Sequence, residues 1–104
     1  MNKRIYDHIK SKEENLKENI KDLDAEGSEE DIQKVNKMYS DFKNGNEKSG
    51  IKILEELAEK YNNKHKKNHG LQEAAIITSI ITSILLSISL ALGIHKAFKF
   101  RNTQ

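Results

Sequence analysis

The sequence predicts an all-α protein, a small bundle of about three amphipathic helices followed by one long hydrophobic helix. Three observations predict it. Proline is absent and the five glycines in 104 residues fall mostly between periodic segments, a distribution that suits long helices joined by short turns. Apolar residues recur at intervals of three and four through the first two-thirds of the chain, the period of helices that bury one face. From Ala74 to Ile94 there are 21 residues without a charge. At about 1.5 Å rise per residue a helix there spans ~32 Å, close to the roughly 30 Å hydrocarbon layer of a bilayer.

The first predicted helix occupies residues 3–25. Ile5, Ile9, Leu16, Ile20 and Leu23 lie on one stripe with Tyr6 at its edge, and the rest is charged or amide. Lys12 and Asn19 interrupt the seam, so packing in a bundle suits this helix better than a two-stranded coiled coil. Gly27 ends the pattern. Ser28 is placed to cap the next helix, and Glu29, Glu30 and Asp31 suit its positive end. Ile32, Val35, Tyr39 and Phe42 then form a stripe, widened by Met38 and stopped at Asn44-Gly45-Asn46, where left-handed backbone is accessible. A third helix is expected over Ile51, Leu54, Leu57, Ala58 and Tyr61, capped by Ser49 or Gly50. The expected bundle core, or partner-binding surface, is therefore Ile32, Val35, Tyr39, Phe42, Leu54, Leu57 and Tyr61. A bundle of three such helices, residues 1–59, has marginal independent stability.

Residues 60–70 are polar and basic and read as a juxtamembrane linker or a frayed helix. The net charge of +2 hides this division. Residues 1–59 hold 11 Lys and Arg against 15 Asp and Glu, whereas residues 60–70 hold four lysines and no acid. Lys60, Lys64, Lys66 and Lys67 on one side of the hydrophobic run, with Lys96, Lys99 and Arg101 on the other, are expected to meet lipid phosphates. Nucleic acid is a weaker reading of the same cations, because only Tyr61 is interleaved with them for base stacking.

Residues 71–95 are the expected membrane span, with Ala74, Ile77, Ile81, Leu85, Ile88 and Leu92 along it, and residues 96–104 a short basic tail carrying Phe98 and Phe100. Ala75, Ser79, Ser83, Ser87 and Ala91 repeat every four residues. The plainest reading of this face has its hydroxyls bonded to their own helix in a passive anchor. Small faces also let membrane helices approach closely, so self-association through it is the next expectation, followed by a pore-lining or buried soluble role. The opposite face, rich in isoleucine, is expected to meet lipid.

Absence of cysteine excludes disulfides and thiolate metal sites. His65 and His69 are four apart, but no third ligand accompanies them. There is no Gly-rich phosphate loop, nucleophile elbow or Ser/His/Asp pattern, so the sequence offers no argument for an enzyme, a cofactor or a small-molecule substrate. The expected function is that of a single-pass membrane-anchored interaction or structural protein with a cytoplasmic amino terminus, since the first ten residues lack a signal-peptide core. Its expected partners are the lipid membrane and a second copy or another protein bound through the amino-terminal helices. The competing expectations are an internal component of a phage particle whose hydrophobic helix enters the host membrane, and a holin-like lesion former.

Overall fold

Four helices carry the fold: α1 (Lys3–Leu23), α2 (Ser28–Lys43), α3 (Glu47–Lys67) and α4 (Gln72–Leu92). The computed structural model describes residues 3–23, 26–67 and 72–92, without the side chains of 91 and 92. The all-α expectation holds. The number of helices in the bundle is corrected from three to four, because α4 is part of the bundle.

The turns explain where the helices stop. Gly27 adopts a left-handed φ of 79° at the head of α2 and provides no side-chain cap. Ser28 is thus the first helical residue instead of the expected cap, and the carbonyl of Gly27 accepts the N–H of Asp31 at 3.0 Å. At the other end of α2, Gly45 takes φ 86°. Its N–H bonds to the Phe42 carbonyl at 3.2 Å and that of Asn46 to the Asp41 carbonyl at 2.7 Å. This is the paired closure that satisfies the last carbonyls of a helix.

α3 begins at Glu47, so Ser49 and Gly50 lie inside its first turn and are not its cap. Gly50 has a different task. A Cβ there would stand 2.7 Å from two atoms of the Phe42 ring, and that ring is 1% exposed and enclosed by core. Gly50→Ala is therefore expected to destabilise the fold. Overpacking of this kind costs roughly 1–3 kcal/mol, more than the gain of up to about 1 kcal/mol from replacing a helical glycine. Thermal melting checks it, and a variant melting at or above wild type would mean that the ring steps aside freely.

The core draws on all four helices. Ile9, Leu16 and Ile20 come from α1, Val35, Met38 and Phe42 from α2, Leu54, Leu57 and Tyr61 from α3, and Ile77, Ile81, Ile84, Leu85 and Ile88 from α4. Of the core positions expected from the stripes, Val35, Phe42, Leu54, Leu57 and Tyr61 are buried, while Ile32 and Tyr39 are half-buried at its edge. Each helix packs on the next in sequence, and α4 returns to pack on α1. Short turns make successive helices antiparallel, so α1 and α3 are diagonal, as are α2 and α4. The radius of gyration is 13.0 Å, matching the ~13 Å of a compact chain of this length. A helix projecting as a separate span would raise it.

Candidate functional site

α4 is the element whose chemistry departs from the rest. Its stretch Gln72–Leu90 has a mean hydropathy of 1.9, and only 39% of that stretch is buried inside the bundle. Ala74, Ile77, Ile81, Leu85 and Ile88, placed along the expected span, are all buried against the protein's own helices. So are Ile80 and Ile84. Of the isoleucine face expected to meet lipid, Ile77, Ile80, Ile84, Leu85 and Ile88 thus lie in the bundle and Ile76 lies outside it. The reason is that α1 and α3 present an apolar groove of matching length, which removes these side chains from water as effectively as acyl chains would. Leu92 closes the helix, but its side chain and that of Ala91 lie outside the described residues.

The outward side of α4 carries large apolar residues among its serines. Ile76 is 46% exposed, Leu86 37% and Leu90 82%. The expected association face runs along this side: Ser79 is exposed and Ala75, Ser83 and Ser87 are half-buried. Several hydroxyls of the helix return to its own backbone. Thr78 donates to the Ala74 carbonyl and Thr82 to the Thr78 carbonyl, both at 2.9 Å, and Ser87 to the Ser83 carbonyl at 3.0 Å. Such bonds let a hydroxyl sit in an apolar medium without an external partner.

The basic cluster divides. α3 runs on to Lys67, so the expected linker is helical over most of its length. Lys66 and Lys67 are exposed and Lys64 is half-buried, in the last turn of α3, at the end of the bundle where α4 begins. Lysines there also complement the negative end of the helix. Lys96, Lys99 and Arg101 lie outside the described residues, as do His69 and the carboxy-terminal tail.

Lys60, placed in the expected lipid-contacting set, is engaged within the bundle. Its ammonium bonds to the carboxylate of Asp31 at 2.5 Å and to the Glu26 carbonyl at 3.3 Å, and it stands 5.5 Å from the centre of the Tyr61 ring. Tyr61 donates its hydroxyl to the same Asp31 oxygen at 2.6 Å. Asp31 is only 2% exposed, and a carboxylate so placed needs such partners. Asp41, also buried, accepts from Ser49 at 2.7 Å and from Lys37. Glu13 pairs with Lys17, which donates in turn to Asn36 at 2.9 Å. The amphipathic pattern marked none of these acids as buried. The partners of Asp31 lie some thirty positions away in the chain.

Burial, then the hydrogen bond to Asp31 and its charge, push the Tyr61 hydroxyl well above the ordinary tyrosine value of 10.0. The folded state therefore holds this proton more tightly than the unfolded chain. The stability it contributes is present below pH 10 and lost as pH rises above it. Urea melts of wild type and Tyr61→Phe are expected to converge in alkali, since the variant has no such proton to lose. A constant gap between them through that range would remove Tyr61 as the cause.

Among the described residues no three His, Asp or Glu side chains gather where they could hold a metal. Two surface concavities among the described residues are open to solvent, one lined by Gly45–Ser49 and another by Glu14, Lys17, Lys21 and Ile32. The arrangement suits contact with apolar surroundings along α4 and with anions at the end of α3. The chain matches no protein-family model, no curated protein and no solved structure.

Proposed function

We propose that this is a non-enzymatic helical protein that associates with a lipid membrane through α4 and presents α1–α3 as an interaction module on the cytoplasmic side. The observation that carries the proposal is the outward side of α4. A core helix of a water-soluble bundle ordinarily turns charged residues to solvent, whereas from Ala74 to Leu92 this helix carries no charge and turns Ile76, Leu86 and Leu90 outward. Its 21 residues reach about 31 Å at 1.5 Å each, enough to cross a bilayer. Lys64, Lys66 and Lys67 at its leading end suit anionic headgroups. Self-association through Ala75, Ser79, Ser83 and Ser87 belongs to the same proposal, because small side chains there leave room for a neighbouring helix.

A second reading, storage inside a phage particle with delivery to a membrane, is favoured by the closed bundle. Housing Ile77, Ile81, Ile84 and Ile88 in a core gives the chain a water-borne form. Fractionation tests both. In cells producing the full chain, the protein should sediment with membranes and stay there after a high-salt wash. Recovery with particles instead would select the second reading, and recovery only in the soluble fraction would overturn the membrane proposal.

A further inference from the structure

The helices of the bundle are held in two different ways. α2 is tied to both neighbours by polar bonds: Tyr6 of α1 donates to the Phe42 carbonyl at 2.8 Å, Lys17 of α1 to Asn36, Ser49 of α3 to Asp41, and Lys60 and Tyr61 of α3 to Asp31. α4 meets α1 and α3 through hydrocarbon, chiefly Ile77, Ile81, Ile84, Leu85 and Ile88. Thr78, Thr82 and Ser87 spend their hydroxyls on α4 itself.

This difference decides which helix can leave. Pulling α2 and α3 apart would strand the buried carboxylate of Asp31 at a cost that lipid cannot relieve, and pulling α1 away would break the part-buried bond from Tyr6 to the Phe42 carbonyl. Hydrophobic contact is non-directional and acyl chains satisfy it equally, so α4 can change surroundings with the hydroxyls of Thr78, Thr82 and Ser87 already bonded to its own backbone. α1 and α3 are diagonal in the bundle, and each presents apolar residues to the space α4 fills. With α4 gone, Ile9, Leu16 and Ile20 of α1 and Leu54, Leu57 and Ala58 of α3 are the apolar residues left to close on one another.

We infer that the four-helix bundle is the water-borne state of the protein, and that on meeting a bilayer α4 leaves it as one unit, exchanging α1 and α3 for acyl chains while α1–α3 remain folded. This rests on the membrane reading of α4 above and adds the route by which a buried helix becomes a span.

The absence of cysteine lets pairs of spin labels be placed without background. Full-length Ser11→Cys/Ser79→Cys reports α1 against α4, and Gln33→Cys/Glu56→Cys reports α2 against α3, all four positions being exposed. Pulsed electron-spin distances are measured in buffer and with vesicles of phosphatidylcholine and phosphatidylglycerol, after flotation has isolated the bound protein. The expected result is an α1–α4 distance that lengthens by about 10 Å or more, since Ser79 enters the roughly 30 Å hydrocarbon layer, with the α2–α3 distance unchanged. Floated protein with both distances unchanged would overturn release and leave a bundle bound whole by its outer face. Both distances broadening would overturn release as a unit in favour of general unfolding at the surface. Failure to float would remove the membrane reading and the release with it.

Discussion

Phe42→Ala and Leu57→Ala should each unfold a large share of the molecules at temperatures the wild type tolerates. Phe42 and Leu57 are each 1% exposed, and they sit on α2 and α3, which pack together. Truncating a buried phenylalanine typically costs about 3–5 kcal/mol and a leucine ~2–5 kcal/mol, the loss of apolar burial plus the cavity left behind. A domain of this size has on the order of 5–15 kcal/mol to lose. Phe42→Ala carries a second penalty, because its ring fills the space that the missing side chain of Gly50 leaves open. Urea unfolding followed by circular dichroism measures both. If Leu57→Ala shifts the midpoint no more than an exposed control such as Glu56→Ala, the stripes on α2 and α3 do not face a common core.

Local periodicity identifies the helices because each amphipathic stripe records which side of its own helix avoids water. Ile9, Leu16 and Ile20, or Val35 and Phe42, are legible in that way, and so are the glycine turns at Gly27 and Gly45. Periodicity says nothing about what lies opposite a stripe. Within α4 the four-residue repeat of Ala75, Ser79, Ser83 and Ser87 separates a small face from an isoleucine-rich one, but hydropathy does not say which of the two meets the other helices. Ile77 and Ile76 look alike in sequence and differ only in whether α1 and α3 cover them. The buried acids were hidden for a related reason. Asp31 stands among exposed Glu29 and Glu30 in a first turn where any acid is favourable, and only the arrival of Lys60 and Tyr61 from α3 sets it apart. In sequence Lys60 groups with Lys64, Lys66 and Lys67, and the contact with Asp31 is what distinguishes it. Gly50 reads as an amino-terminal cap because it directly precedes the apolar stripe that opens at Ile51, and nothing local shows that it makes room for a ring.

A lysine on α4 should have opposite consequences in water and the same consequence in lipid, depending on which face receives it. At Ile84, which is 0% exposed, an ammonium would enter the core with no carboxylate assigned to meet it. Burying an unpaired charge is among the few substitutions that cost more than about 4 kcal/mol, so Ile84→Lys is expected to collapse the thermal transition of the protein in buffer. At Leu86, 37% exposed on the outer side, the lysine stem can lie along the surface with its head in water, and a change within ±0.5 kcal/mol is expected, as for surface substitutions generally. A bilayer removes the distinction. Near the middle of a spanning helix either lysine costs about 2.5–3.5 kcal/mol, so both variants should float with vesicles far less than wild type. Leu86→Lys is the decisive member of the pair, because its fold in buffer is intact and its loss of flotation cannot be assigned to unfolding. Should it keep its melting temperature and float as wild type does, the outer side of α4 does not enter lipid. Should it lose its melting temperature in buffer alone, Leu86 faces protein instead, and a second copy of the chain packed on α4 becomes the occupant to seek by sedimentation.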